Sequence, residues 1–508
     1  MTRKPFYITT TLPYVNAEPH IGHALEFVRA DIIARAHALK GEEVFFNTGT
    51  DEHGIKIYQK AVQMHVDTQV YVDQASAKFK EILPLLGLAT DEEGIKFNFI
   101  RTTDAHHVKA AQDFWKLVEE NGKKAKDGPY IYKKNYSIKY CIGCELEKTE
   151  SELVLGRCPL HPLQDLEIIT EENYFFKFSA FQEKLLKMYA DKPDFVLPSA
   201  RLNEIRSFVE RGLQDFSISR LASKMPWGVP VPGDDSQVMY VWFDALVDYI
   251  SAVGWPDDEV AGKNEAGAFD KWWVKSGGVV QYCGKDNLRQ QTAMWQAMLM
   301  AAGLPNSKTV VVNGFVTGEG GVKMSKSLGN VINPIDVVKE YGTDALRYYV
   351  ARDISPFEDS PFTLEKFKES YNANLANGIG NLTSRIMKMA ETNGVAFDAE
   401  VSKKLAASAE MKDLYKRQMG GFDSYDIKQA TDAVWSLISA TDKIIQDSQP
   451  FKVIKTDKEE GEKIIKDLIV RLEMIGTMLK PILPNTSHAI LRCIADNKMP
   501  REPLFLRK

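Results

Sequence analysis

In the first fifty residues, the spacing of apolar side chains changes from that of a strand to that of a helix and back again. Residues 4–11 alternate between apolar and polar side chains, which predicts a strand. Residues 20–40 place apolar side chains at helical spacing, and Gly41 follows as a stop signal. A second strand-like run begins at Val44 and ends in NTGTDEHG. This order predicts a strand–helix–strand unit, the repeating element of parallel α/β sheets.

The middle of the chain interrupts this α/β pattern. A helical pattern covers residues 102–121, and from about Gly122 the stretch DGPYIYKKNYSIKYC alternates as a hairpin would. The α/β pattern returns at Val238, and strand-like runs follow at 279–283 and 309–312. We therefore predict a parallel α/β domain that is split by an insertion of roughly a hundred residues.

Beyond about Phe362 the strand signals fade and long helical patterns dominate. The predicted helices cover residues 364–392, 411–419, 427–446 and 461–479. This part of the sequence predicts an all-α bundle that follows the α/β domain.

Composition narrows the class of protein without identifying it. The 508 residues are 44% hydrophobic and 26% charged, as in a soluble globular protein of several domains. No apolar run is long enough for a transmembrane helix, and we expect no signal or transit peptide and no membrane partner. Five cysteines do not resemble a secreted disulfide framework, so we expect a reducing cytoplasm. The net charge of −5 gives no global basic field, although a local patch is enough to bind nucleic acid.

Two histidines stand together where the first strand ends and the first helix begins. His20 and His23 follow Pro19 in the sequence PHIGH. A helix places both histidines on roughly one face, and a helix N-terminus attracts anions. A metal site, a general base, a phosphate cradle and simple packing all remain open for this pair.

A second motif lies about three hundred residues downstream, after the strand-like VVVNGFVT. The run GGVKMSKSLGN brings together two lysines, Lys323 and Lys326, with serines between glycines. Such a loop is suited to gripping a polyphosphate, although Lys and Ser are also ordinary in a solvated loop. Neither GxxxxGK[ST] nor a GxGxxG fingerprint after a strand is present. An adenine nucleotide would therefore need another means of binding.

Four potential metal ligands lie in the insertion. Cys141 and Cys144 form one CxxC pair, and after thirteen intervening residues Cys158 and His161 form a CPLH pair. This spacing matches a tetrahedral Zn²⁺ site with three thiolates and one imidazole. We expect one structural Zn²⁺ per chain. The alternative is a redox CxxC with two unrelated residues.

HIGH followed by KMSKS is the signature pair of class I aminoacyl-tRNA synthetases, and the chain resembles the methionyl-tRNA synthetase family over essentially its whole length. The stretches that carry this resemblance are TLPYVNAEPHIGHALE, NTGTDEHG, YVWFDALVDY, YCGKDN, GFVTGEGGVKMSKSLGNV and GNLTSR. The resemblance implies a Rossmann-type catalytic domain, split by a zinc-bearing connective-peptide insertion and followed by an α-helical anticodon-binding bundle. The implied boundaries are 1–120 and 229–318 for the two catalytic halves, 121–228 for the insertion, 319–362 for the KMSKS loop and stem-contact region, and 363–508 for the bundle.

The resemblance also implies partners and roles for individual residues. We expect ATP with Mg²⁺, L-methionine and tRNA(Met) to bind, and methionyl adenylate to be the intermediate. The catalytic residues implied are His20, His23, Lys323 and Lys326. The ATP-binding residues implied are these four with Gly22, Met324, Ser325 and Ser327. The methionine-binding residues implied are Leu12, Tyr14, Asp51, Trp242, Ala245, Tyr249 and Gln291. The anticodon-reading residues implied are Asn381, Arg385 and Phe451.

Three positions depart from the family's usual pattern. Gln291 stands where relatives commonly have a pocket histidine, although Gln can still bond to a thioether or a tyrosine hydroxyl. Leu246 replaces a common proline, and Phe451 replaces a common tryptophan.

Trp242, Ala245 and Tyr249 are expected on one face of a helix. Each aromatic residue could instead be ordinary core packing.

Other functions remain to be weighed against this one. A class I synthetase for leucine, isoleucine or valine would need a large editing domain, and the insertion is too small for one. A non-catalytic tRNA-binding paralogue would be expected to lack an intact HIGH or KMSKS element. A small-molecule nucleotidyltransferase would not be expected to carry a long helical domain. The chain ends in PLFLRK without a further module, and we therefore expect a monomer.

Overall fold

The computed structural model describes residues 3–88, 94–144, 146–148, 152–322, 324 and 331–508. The strands are β1 Pro5–Thr9, β2 Glu43–Thr50, β3 Ile95–Arg101, β4 Ile131–Cys141, β5 Leu146–Lys148, β6 Glu167–Phe176, β7 Val196–Leu197, β8 Phe216–Ser217, β9 Ser219–Leu221, β10 Pro230–Val231, β11 Asp234–Met239, β12 Glu259–Val260, β13 Lys263–Asn264, β14 Val280–Gly284, β15 Thr309–Asn313, β16 Val316–Thr317 and β17 Ser360–Pro361.

The helices follow the same order along the chain. They are α1 Ile21–Leu39, α2 Ile55–Gln63, α3 Thr68–Leu85, α4 Ala105–Lys124, α5 Gln182–Asp191, α6 Ser199–Glu210, α7 Val241–Ala245, α8 Asp248–Ser251, α9 Trp295–Ala302, α10 Pro334–Tyr341, α11 Thr343–Arg352, α12 Leu364–Ser370, α13 Asn381–Asn393, α14 Ala399–Ala406, α15 Ala409–Asp423, α16 Ile427–Ser448, α17 Pro450–Thr456, α18 Lys458–Leu479 and α19 Pro484–Asp496. Among the described residues, no helix has the length and apolar character needed to cross a membrane.

A six-stranded sheet forms the centre of the first part of the chain. Its order is β3-β2-β1-β14-β15-β7, and every neighbouring pair is parallel. Strand β1 pairs with β2 on one side and β14 on the other, so the chain begins in the middle of the sheet. This confirms the predicted strand–helix–strand unit. The loops that leave β1, β2 and β14 therefore meet at one carboxyl edge, where open α/β sheets bind their ligands.

Alternate side chains of the central strands enter two different cores. Phe6 and Ile8 of β1 pack into a core that continues through α1 into the C-terminal helices. Tyr7, between them, packs into a second core with α4 and the helices of the insertion. Strand side chains alternate between the faces of a sheet, so a strand buried on both faces belongs to both cores. Strand β1 thus connects the two cores.

The predicted hairpin in the insertion is wrong. The alternating stretch forms a single strand, β4, which pairs antiparallel with β6 over ten residue pairs from Ile131↔Phe176 to Tyr140↔Glu167. Cys141 ends β4, and Cys144 and Cys158 lie between β4 and β6. The alternation correctly predicted a strand. Its long partner, β6, lies beyond the cysteines, and a local pattern does not reveal so distant a partner.

The C-terminal part of the predicted insertion contacts the main sheet. Strand β7, within the segment 121–228, pairs with β15 at the edge of the main sheet. The boundaries of the insertion, 121–228, remain a prediction.

The C-terminal part is helical, as predicted. The predicted helix at 364–392 corresponds to α12, a π-helical stretch Tyr371–Gly380 and α13. The other three predicted helices correspond to α15, α16 and α18, each longer than its predicted range. Short helices such as α14 and α17 gave too few turns for their periodicity to be recognised.

Helix α1 is anchored by buried charges. Asp31 pairs with Arg347 of α11 at 2.7 Å between carboxylate and guanidinium, and both side chains are fully buried. Arg347 also donates hydrogen bonds to the backbone carbonyls of Leu86, Pro481 and Ile482. One guanidinium therefore ties α1 to the helical bundle, at the connection between α18 and α19.

A second arginine on the same helix acts in the same way. Arg29 is 1% exposed and donates to the Asn313 side chain and to the carbonyls of Ile354 and Ser355, each at 2.9 Å. Asn313 ends β15, and the two carbonyls follow α11. Helix α1 is therefore held against the segments on both sides of the KMSKS loop.

We predict that Arg347→Met destabilises the folded state strongly. Methionine fills much of the volume but removes one of the two arginines that pair with the buried Asp31, since Arg35 remains. It also removes the hydrogen bonds to three backbone carbonyls. Breaking a buried ion pair by removing one partner costs about 3–5 kcal/mol. Urea unfolding followed by intrinsic fluorescence measures this loss.

The matched control is Arg352→Met on the same helix. The Arg352 side chain is 24% exposed and pairs with Asp432, so its loss should cost less than about 1 kcal/mol. Equal unfolding midpoints for the two variants would show that the Asp31–Arg347 pair does not hold α1 against the helical bundle.

Candidate active site

The two histidines of PHIGH form the N-terminus of α1. His20 is the N-cap, and its Nδ1 accepts a hydrogen bond from the Gly22 amide at 3.2 Å. The Nδ1 of His23 accepts one from the His20 amide at 3.3 Å. The rings stack with 3.7 Å between centroids. A ring nitrogen that accepts carries no hydrogen, so in each neutral imidazole the hydrogen is on Nε2.

The surroundings of His23 favour its neutral ring. Burial, followed by the nearby His20, holds the pKa of His23 well below its usual value. A neutral imidazole with its hydrogen on Nε2 is a hydrogen-bond donor at a helix N-terminus, where backbone N–H groups also attract anions. The pair is thus arranged to donate hydrogen bonds to an anion.

A buried carboxyl group joins α1 to the loop after β1. Glu26 Oε1 accepts hydrogen bonds from both the amide and the hydroxyl of Thr11, each at 2.6 Å. Burial raises the pKa of Glu26 to about 8, against the lowering effect of these Thr11 bonds. This contact fixes the position of Leu12 relative to the histidines.

A cavity of about 80 Å³ lies at the carboxyl edge of the sheet. It is lined by Thr11, Leu12, Asp51, Trp242, Ala245, Leu246, Asp248, Tyr249, Asn287, Gln290 and Gln291. Six of the seven residues predicted to bind methionine are among these. Tyr14 is not among them, and its backbone instead forms a parallel bridge with Asp51.

The expected single helix carrying Trp242, Ala245 and Tyr249 is wrong. The structure has two short helices there, α7 and α8, with Leu246 and Val247 between them. All three residues nevertheless line the same cavity. A short apolar run does not reveal where a helix breaks, but in this case the break does not change which side chains meet.

A chain of amide hydrogen bonds sets the orientation of Tyr249. Gln281 Nε2 donates to Gln291 Oε1, and Gln291 Nε2 donates to the Tyr249 hydroxyl oxygen, both at 2.7 Å. Gln291 therefore bonds to a tyrosine hydroxyl, as its sequence position suggested. Because the Tyr249 oxygen accepts from Gln291, its own hydrogen points away from that amide.

Sequence reasoning missed a buried pair beside Asp51. His53 Nδ1 lies 2.8 Å from an Asp244 carboxylate oxygen, and both side chains are nearly inaccessible. Asp244 precedes Ala245 on α7, so this bond ties the loop after β2 to the opposite wall of the cavity. The charged residues within the apolar run YVWFDALVDY were the available signal.

The four predicted metal ligands converge. One ligand atom from each of Cys141, Cys144, Cys158 and His161 lies within 4.8 Å of all the others. Cys144 Sγ lies 3.4 Å from Cys158 Sγ and 3.2 Å from His161 Nδ1. Three soft sulfur donors and one imidazole at these separations fit a single tetrahedral Zn²⁺.

Most of the KMSKS loop lies outside the described residues. This applies to Lys323, Ser325, Lys326 and Ser327. Met324 is described and packs, partly buried, against the core that contains α1.

A second cavity lies in the helical bundle. Its lining includes Arg385 and Phe451, and its volume is about 510 Å³. Phe451 is 45% exposed, which is more than a hydrophobic staple between helices would leave. Asn381 is not among the lining residues and is exposed at the start of α13.

Two protein-family models match the chain. A model described as tRNA synthetases class I (M) matches residues 6–165 and 164–387. A model described as the anticodon binding domain of methionyl tRNA ligase matches residues 395–502.

Curated proteins and solved structures are similar over nearly the full length. A methionine–tRNA ligase of Thermotoga maritima is 38% identical, over 97% of this chain and 76% of that protein. One of Nostoc sp. is 37% identical, over 96% of this chain and 89% of that protein. A Mycobacterium tuberculosis methionyl-tRNA synthetase in complex with methionyl-adenylate superposes with a TM-score of 0.85 at 32% identity, covering 99% of this chain and 98% of that one.

Proposed function

The chain belongs to the methionyl-tRNA synthetase family of class I tRNA synthetases, and from that membership we propose how its residues divide the reaction. The reaction is the ATP-dependent ligation of L-methionine to tRNA through methionyl adenylate. The observation that supports the assignment of residues is the convergence of six predicted methionine-binding residues on one cavity at the carboxyl edge of the sheet.

The first step joins methionine to AMP. An oxygen of the methionine carboxylate attacks the α-phosphorus of ATP, the bond from that phosphorus to the bridging oxygen breaks, and pyrophosphate leaves. The protein contributes positioning and electrostatic stabilisation. His20 and His23 donate from Nε2 to the α-phosphate oxygens. Lys326, with Lys323, neutralises the departing pyrophosphate, and Mg²⁺ accompanies ATP.

The methionine pocket combines apolar walls with a few fixed polar groups. Leu12, Trp242 and Ala245 pack against the side chain, and the Asp51 carboxylate takes the ammonium. The Tyr249 hydroxyl, held by Gln291, directs its hydrogen toward the thioether sulfur. An apolar pocket with a few precisely placed polar groups is the usual form of a small-molecule site.

The second step transfers the methionyl group to tRNA(Met). As in class I enzymes, the 2′-hydroxyl of the terminal adenosine attacks the activated carbonyl, and AMP leaves. The cavity in the bundle receives the anticodon, where Phe451 stacks on an unpaired base and Arg385 reads a base edge. Asn381, one turn before Arg385 on α13, contributes a second polar contact.

One Zn²⁺ has a structural role in the insertion. Cys141, Cys144, Cys158 and His161 would hold it and leave no open coordination position. What supports this role is the closure of the long β4–β6 pair by the segment that carries all four ligands.

We predict that Lys326→Ala loses adenylate formation. Removing one group that stabilises charge in the transition state costs about two to three orders of magnitude in rate. Methionine-dependent exchange of pyrophosphate into ATP measures the step. Lys339→Ala, an exposed lysine on the nearby α10, is the control and should exchange normally. Unchanged exchange in Lys326→Ala would exclude the proposed role.

We predict one zinc atom per chain by elemental analysis. In Cys144→Ser the zinc content should fall well below one, because serine is a poor ligand for this soft donor set. Cys493→Ser, which changes a half-buried cysteine in α19, should keep its zinc. A wild-type protein that is folded and metal-free would refute the site.

A further inference from the structure

One charged residue of the methionine cavity has no role in the reaction described above. Asp248 begins α8, lines the cavity and is 1% exposed. Within the described part of the chain, its Oδ1 atom is buried and has no hydrogen-bond partner. A buried acceptor without a donor costs about 1–3 kcal/mol, and more when it is charged. A ligand that donates a hydrogen bond to this oxygen would remove that cost.

The described residues that line the cavity around Asp248 are all acidic or neutral. Burial raises the pKa of Asp248 well above its usual value, and the carboxyl group of Asp51 raises it further. From β1, below the cavity, the Tyr7 hydroxyl donates to the Tyr249 carbonyl at 2.9 Å. The cavity therefore holds two carboxyl groups that disfavour each other's ionisation when no cation lies between them.

The chemistry of methionine indicates which donor would reach Asp248. Its side chain carries methylene groups, a thioether and a methyl group, none of which donates a conventional hydrogen bond. Its carboxylate only accepts. The ammonium group alone donates, and it has three N–H bonds, more than one carboxylate oxygen can accept in good geometry. A second acceptor at the cavity wall is therefore complementary to the amino group.

We propose that Asp248 is a second carboxyl group that binds the amino group of methionine, acting together with Asp51. This inference rests on the proposed function, because it takes methionine as the occupant of the cavity. The positive charge of the ammonium offsets the repulsion between the two carboxyl groups. The pair makes binding depend on an amino group, so the site discriminates against carboxylic acids that carry the same side chain without one.

Two analogues of methionine separate this role from a general role in pocket shape. Methioninol keeps the ammonium and the side chain but lacks the carboxylate. 4-(Methylthio)butanoate keeps the carboxylate and the side chain but lacks the ammonium. Both are tested as inhibitors of methionine-dependent pyrophosphate exchange by the full-length protein. Asp248→Asn is the first variant, because it preserves the volume and removes the charge.

In Asp248→Asn the inhibition constant of methioninol should rise about tenfold, the scale of one hydrogen bond to a charged group. The inhibition constant of 4-(methylthio)butanoate should change by less than about twofold.

Asp344→Asn is the matched control. Asp344 is another buried aspartate with an unpartnered Oδ1 among the described residues, and its Oδ2 is bound by Thr486. That variant should leave both constants unchanged.

Two results would overturn the inference. An equal rise for both analogues would show that Asp248 only shapes the cavity, and no rise for methioninol would show that it does not meet the amino group. If Asp248→Asn does not fold, Asp248→Ser carries the same expectation. A wild-type protein whose exchange is not stimulated by methionine would instead refute the proposed function, so the two failures are distinguishable.

Discussion

The ion pair between Asp31 and Arg347 is the contact on which both ends of the molecule depend. It is fully buried, and the same guanidinium binds backbone carbonyls between α18 and α19 of the helical bundle. Helix α1 therefore cannot shift without disturbing α11 and the bundle. Because His20 and His23 lie at the N-terminus of α1, the position of the proposed nucleotide-binding end is set by packing that extends to the helical bundle.

The same rigidity defines the amino-acid cavity. Thr11 is bonded to Glu26 of α1, while the His53–Asp244 pair joins the loop after β2 to α7. The walls of the cavity thus come from separate segments, each fixed by a buried polar bond. A hydrophobic pocket separates two substrates that differ by one methylene group by only about 1–3 kcal/mol in binding free energy. In the proposed binding mode, the Tyr249 hydroxyl and the two carboxyl groups add directional contacts that a purely apolar pocket would lack.

The sequence predicted the features that have a periodic or spaced signature. The β1–α1–β2 unit, the long helices of the bundle and the four candidate zinc ligands all follow from such patterns. The partner of β4 was missed because it lies beyond the cysteine segment, and the break between α7 and α8 has no local signal. The partners of Asp244 and the orphan oxygen of Asp248 depend on tertiary packing, which brings distant side chains together without a repeating pattern. The roles of Lys323 and Lys326 follow from the motif and the family alone, since both lie outside the described residues.

The central claim is that this cavity selects methionine for activation, and pyrophosphate exchange with a panel of amino acids tests it most directly. The wild-type protein is incubated with ATP, labelled pyrophosphate and one amino acid at a time: methionine, leucine, isoleucine or valine. The account predicts strong exchange with methionine and little with the three branched amino acids. Exchange stimulated by leucine and not by methionine would contradict it.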